Sequence, residues 1–151
     1  MDNTKGIPTS PSLFHDKVVM VSGGFDPVHV GHLRMFEAAA ELGDYLLVVL
    51  NCDDWLKRKK GRAFMSQEER AEIIKGFAAV DEVFILQTDK DDVCEAIDMF
   101  RPHIFANGGD RKADNTPEYA MCKALGIEMA FGVGGDKIQS SSEMLKKYNG
   151  N

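Results

Sequence analysis

The feature that most narrows the fold is a rhythm in which short apolar runs alternate with longer amphipathic ones from Lys17 to Tyr148. Lys17 to Ser22 (KVVMVS) is rich in β-branched residues and runs into glycines, the pattern of a strand buried on both faces of a parallel sheet. Tyr45 to Leu50, Glu82 to Leu86, His103 to Ala106 and Glu128 to Val133 are predicted as further strands. Val30 to Leu42 places Leu33, Phe36, Ala39 and Ala40 on one helical face, and Gly43 stops it. Ser66 with Glu69 three residues later forms a capping-box signature for a helix reaching about Ala79. Asp91 to Phe100, Thr116 to Leu125 (with Pro117 in its first turn) and Ser141 to Tyr148 complete the predicted helices. Strand-helix alternation implies crossover connections, so the expected fold is a single doubly wound α/β domain with a mostly parallel five-stranded sheet. Residues 17 to 148 are assigned to that domain. The polar residues 1 to 16, with Gly6, Pro8 and Pro11, are assigned to a flexible leader.

Composition removes several classes. A net charge of −6 argues against nucleic acid as a partner, since a phosphate polymer would be repelled. No apolar run approaches the ~20 residues that cross a bilayer, so no membrane association is expected. Cys52, Cys94 and Cys122 are odd in number and far apart, which fits packed, reduced thiols and a cytoplasmic location.

The chemistry concentrates after the first strand, in Gly23-Gly24-Phe25-Asp26-Pro27-Val28-His29-Val30-Gly31-His32. Ligands of open α/β sheets bind outside the carboxyl ends of the strands. Glycine there lets backbone approach a ligand, and His29 and His32, three apart at a helix start, can face one point. The helix N-terminus adds a partial positive charge. Together these describe a phosphate site. A zinc site is the competing explanation of the histidines, but no nearby Cys or His completes a ligand set. The loop lacks the Gly-Lys-Ser/Thr ending of a Walker A sequence.

Gly-Phe-Asp-Pro followed by His-x-Gly-His resembles the HxGH nucleotidyltransferase superfamily, and within it the cytidylyltransferase-like enzymes. The resemblance extends over nearly the whole chain. Leu42-Gly43-Asp44, Asn51-Cys52-Asp53-Asp54, the basic run Lys57 to Arg62, Glu69-Arg70, Val80-Asp81-Glu82-Val83, Gly108-Gly109-Asp110 and Ser140-Ser141-Ser142 are similar to glycerol-3-phosphate cytidylyltransferase and heptose-phosphate adenylyltransferase. It implies a Rossmann-like fold and transfer of CMP or AMP from CTP or ATP to a small phosphorylated alcohol or sugar, with release of pyrophosphate. Mg²⁺ is the implied cofactor, bridging the phosphates, and a homodimer is left open.

The same resemblance distributes the roles. His29 and His32 would bind the triphosphate and stabilise charge in the transition state, with Lys59 or Lys60 as the important amine. Gly23, Gly24, Phe25, Asp26 and Gly31 would line the nucleotide pocket, Asp26 either fixing the loop or lying near the metal. Gly108, Gly109 and Asp110 would border the nucleoside, and Ser140, Ser141 and Ser142 would receive the departing phosphates. Arg70 and Arg62 are expected at the acceptor phosphate, where a planar guanidinium grips in bidentate fashion. One departure stands out. The cytidylyltransferases carry an arginine before the serine motif, whereas this chain has Gly135-Asp136-Lys137-Ile138-Gln139, as the heptose-phosphate enzymes also lack it. Nicotinamide-mononucleotide or pantetheine-phosphate adenylyl transfer, and a non-catalytic nucleotide-binding regulator, are the alternatives.

Overall fold

The computed structural model describes residues 15–108 and 116–135. Five strands form one sheet: β1 (Val18–Gly23), β2 (Tyr45–Asn51), β3 (Glu82–Leu86), β4 (Ile104–Gly108) and β5 (Glu128–Val133), in the order β3-β2-β1-β4-β5. Every neighbouring pair is parallel, as the crossover rhythm requires. The helices are α1 (Val30–Ala40), α2 (Asp53–Lys60), α3 (Gln67–Lys75), α4 (Cys94–Phe100) and α5 (Pro117–Leu125). Among the described residues no helix is long and apolar enough to cross a membrane. The predicted leader to residue 14 and the predicted closing helix Ser141 to Tyr148 lie outside the described residues.

β1 sits in the middle of the sheet and its first four residues are fully buried, which explains a run with no polar alternation. Its side chains divide two cores. Val19 and Val21 pack with Phe36, Val48, Ile74 and Ala106 beneath α1 and α3. Met20 packs with Leu47, Val49, Ile97, Phe105 and Cys122 beneath α4 and α5. The chain first winds outward through β2 and β3, then returns across β1 to β4 and β5. That reversal between β1 and β4 opens a crevice at their carboxyl ends.

Element boundaries follow their caps. Ser66 Oγ accepts from Glu69 N (3.1 Å), so α3 starts where the sequence predicts, but it ends at Lys75, with Gly76 as its C-cap. The basic run, where no helix is predicted, supplies the C-terminal half of α2 through Lys60. Asp53 and Asp54 occupy the first turn and Lys57, Arg58, Lys59 and Lys60 the last, so the charges complement the helix dipole. Gly61, at φ 87°, closes it with its amide on Lys57 O (3.0 Å). Only Leu56 of this helix is buried, so no apolar period announces it.

Two predictions follow from this packing. Phe36→Ala removes a fully buried ring that stacks edge-on with Phe25 and against Phe77, and should cost about 3–5 kcal/mol in urea unfolding. Burial pushes the Cys94 thiol up to about 12 and the Cys122 thiol up to about 11. Thiolate is the reactive form, so both should react with a disulfide reagent at pH 8 far more slowly folded than in denaturant.

Candidate nucleotide site at the first loop

The two histidines form the start of α1. His29 is the N-cap, and its Nδ1 accepts from Gly31 N (3.1 Å). His32, at the third helical position, accepts from His29 N through its own Nδ1 (3.1 Å). The pair is thus a reciprocal capping box built from imidazoles instead of hydroxyl and carboxylate. The rings stack at 3.8 Å between centroids with 19° between planes. With both Nδ1 atoms accepting, the proton of each neutral ring belongs on Nε2, a donor suited to a phosphate oxygen. No acidic residue lies in the first turn of α1, so its dipole is not offset there. Gly31 is required by space: a Cβ would sit 2.9 Å from His29 Cε1 and 3.1 Å from Nδ1.

The loop before the helix is held from both sides. Phe25 takes φ 51° and buries its ring edge-on against His32 (4.9 Å, 86°) and Phe36 (5.2 Å, 70°). A bulky side chain at positive φ is unfavourable by itself, so these contacts hold it there. Asp26 is buried, and its two carboxylate oxygens accept from Phe64 N (2.6 Å) and Met65 N (2.7 Å). Asp26 thereby ties the first loop to the segment before α3.

Arg70 is a correction. An acceptor-phosphate ligand should be exposed at the crevice, but Arg70 is 0% exposed, and its guanidinium is committed within the protein. Nε donates to Met65 O (3.0 Å), Nη1 to Gly24 O (2.7 Å) and Asn51 O (2.8 Å), and Nη2 to Asp53 Oδ1 (2.8 Å). It therefore joins the first loop, the end of β2, the start of α2 and the segment before α3. The guanidinium makes no bidentate pair; its partners are three carbonyls and one oxygen of Asp53.

The remaining expected residues are distributed around this frame. Lys59, Lys60 and Arg62 are exposed at and just beyond the end of α2. Lys59 Nζ lies 3.6 Å from Asp91 Oδ2, and Arg58 reaches Asp91 (3.9 Å) and the carbonyls of Thr88 and Lys90. Gly23, Gly24 and Gly108 stand at the carboxyl ends of β1 and β4. Gly109, Asp110, Lys137, Ser140, Ser141 and Ser142 lie outside the described residues. Among the described residues no three His, Cys, Asp or Glu side chains gather as a metal site. Sequence reasoning gave no site role to Asn107 or Asn51. Both are buried at strand ends, where a polar residue closing an apolar run was the available signal.

Removing the guanidinium should undo the frame rather than a ligand contact. Arg70→Ala should lower unfolding stability by about 3 kcal/mol or more, because Asp53 and several carbonyls lose their partner. A variant with unchanged stability and only a raised acceptor KM would restore the phosphate-binding role.

Comparison with known proteins agrees with this geometry. The family model for cytidylyltransferase-like proteins matches residues 20–147. The bifunctional protein HldE of Syntrophotalea carbinolica is 40% identical over 110 residues, covering 72% of this chain and 21% of the relative. That of Geobacter sulfurreducens is 31% identical over 153 residues, covering 98% and 31%. The chain thus spans less than a third of these curated relatives. Among solved structures, a lipopolysaccharide core biosynthesis protein from Thermoplasma volcanium superposes with a TM-score of 0.66 at 25% identity, covering 77% of this chain and 93% of the other. A pantoate-β-alanine ligase from Francisella tularensis shares the fold with a TM-score of 0.60 at 14% identity, covering 85% and 65%. With a family match over most of its length and the paired histidines seated at the switch point of the sheet, the chain belongs to the cytidylyltransferase-like family.

Proposed function

We propose that this chain is a nucleotidyltransferase that moves AMP from ATP to a phosphorylated sugar of the heptose-phosphate type. The observation that carries the phosphate chemistry is the imidazole capping box, which presets both rings as Nε2 donors at an unneutralised helix N-terminus. A phosphate oxygen of the acceptor attacks the α-phosphorus. A new P–O bond forms, the bond from the α-phosphorus to the bridging oxygen breaks, and pyrophosphate leaves with the electron pair. The acceptor oxygen is already ionised near neutral pH, so positioning and charge neutralisation supply the catalysis. His29 and His32 donate to the triphosphate as charge builds, and Lys59, Lys60 and Arg62 supply cations for triphosphate or acceptor.

Gly108, Gly109 and Asp110 remain the proposed border of the nucleoside, and Ser140, Ser141 and Ser142 the proposed seat of the departing phosphates. Mg²⁺ is proposed to arrive on the phosphates. Asp26 has both oxygens engaged by backbone amides, so the described residues supply no dedicated set for it. The absent arginine before Ser140, the matches to HldE proteins and the likeness to a lipopolysaccharide core biosynthesis protein favour AMP and a sugar over CMP and glycerol phosphate.

Purified protein with Mg²⁺, each nucleoside triphosphate and a panel of phosphorylated sugars, polyols, nicotinamide mononucleotide and pantetheine phosphate should release pyrophosphate with ATP and an aldose phosphate. Nucleotide binding with no release from any pair would make the chain a regulator instead. His29→Asn and His32→Asn keep a capping acceptor but lose Nε2. Each should cut kcat by about 10²–10³-fold, by analogy with removal of a transition-state donor. Melting temperatures should stay near that of the parent, and an unchanged kcat would remove the assigned roles.

A further inference from the structure

Trp55, Arg58 and Lys59 stand at i, i+3 and i+4 of α2, so they share one face of the helix. Each reaches the segment that follows β3. Trp55 Nε1 donates to Asp91 O (3.4 Å), and Arg58 Nη2 donates to Lys90 O (3.0 Å) and Thr88 O (3.4 Å). These bonds end on main-chain oxygens, so they hold residues 88–91 against the helix whatever side chain stands at 91. The Asp91 carboxylate is thereby delivered to the cations, 3.6 Å from Lys59 Nζ and 3.9 Å from Arg58 Nε. Its neighbours are engaged elsewhere: Asp92 accepts from the Cys94 amide (3.0 Å), and Lys90 pairs with Glu95 (3.6 Å).

Lys59 also belongs to a second face. Leu56, three residues earlier, is the buried residue of α2 and packs over the first loop, where a Cβ on Gly24 would meet its Cδ2 at 2.9 Å. Lys59 and Lys60, three and four positions beyond Leu56, therefore lie on the flank of the helix that borders that loop. Lys60 is five positions beyond Trp55, about 140° around the axis, and so points away from Asp91. Lys59 is the cation common to both flanks. On one side stands a tethered carboxylate, on the other the loop of the paired histidines.

The ion pair is built to exchange. At 3.6 Å it exceeds hydrogen-bond distance, and its side chains are 42% and 67% exposed, so water screens the attraction. The Trp55 ring, 6.0 Å from Nζ, keeps the ammonium near either partner. A carboxylate offers a single negative charge, whereas a polyphosphate offers several together with strong acceptor oxygens. The polyphosphate prevails, but its contact with Lys59 is discounted by the contact with Asp91 that is given up.

We propose that Asp91 is a built-in counter-ion for Lys59, an intramolecular competitor that lowers the affinity of the basic turn of α2 for polyphosphate until the anion displaces it. The inference deepens the phosphate-binding role proposed for Lys59 and rests on that reading. Asp91 touches no reacting atom; it acts through the amine.

The test titrates the full chain with inorganic tripolyphosphate at fixed Mg²⁺, read by calorimetry and by the emission of Trp55, the one tryptophan of the chain. Asp91→Asn keeps the shape and removes the charge, and Asp91→Ser serves as a second variant, each checked by melting temperature. Asp91→Asn should bind roughly twofold to fivefold tighter at low salt, the range of an exposed ion pair, and the gain should shrink in about 0.5 M salt. In turnover, KM for the triphosphate should fall with kcat retained. Lys59→Met should weaken binding, and adding Asp91→Asn to it should change nothing further. Unchanged or weaker binding in both Asp91 variants overturns the counter-ion role, as does a gain that survives in the Lys59→Met background. Binding of this probe needs no turnover. A parent that binds it yet releases no pyrophosphate with any substrate pair fails the transfer reading alone, and equal binding by parent and Asp91→Asn beside intact turnover fails the counter-ion alone.

Discussion

A single buried guanidinium holds the mouth of this site together. Arg70 reaches four oxygens that arrive from Gly24, Asn51, Asp53 and Met65, segments that meet only in the folded chain. Burying a charge is costly unless its donors are answered, and here a carboxylate and three carbonyls answer them. The same contacts fix the backbone of the first loop where it turns toward α1. Asp26 works from the opposite direction, clamping the amides of Phe64 and Met65. Between them, the loop is set before any ligand arrives, and preorganisation of that kind lowers the cost of binding charge.

The paired histidines show how one geometry serves structure and chemistry together. Each imidazole uses one nitrogen to satisfy an amide that a helix start would otherwise leave unanswered. That bond selects the tautomer, and the opposite nitrogen becomes a donor. Phe25 buttresses His32 from below, and its unusual backbone angle is tolerated because the ring is buried against Phe36.

Much of this was legible in the chain. Apolar runs such as KVVMVS and YLLVVL exposed the parallel sheet, because strands covered on both faces cannot alternate. The His-x-Gly-His spacing predicted that the two rings meet, because one helical turn brings them together. Arg70 misled for a physical reason: a guanidinium that suits an acceptor phosphate suits buried carbonyls equally well, and only the tertiary fold supplies those partners. Helix α2 was missed because it buries only Leu56 and so carries no apolar period; its regular feature is charge order along the axis. Asn107 was overlooked because an amide among glycines looks like turn chemistry until its depth is known.

Helix α2 also separates two kinds of sequence constraint. It contributes one side chain, Leu56, to the interior, and its start is anchored through Asp53 to Arg70. Its basic half is exposed and touches the body of the protein through Asp91 and nearby carbonyls. Substitutions along that half leave the packed core untouched and cost only the dipole complement and exposed ion pairs. They are free to alter the electrostatic environment around the first loop. The chain can drift in what it admits while remaining fixed in how it folds.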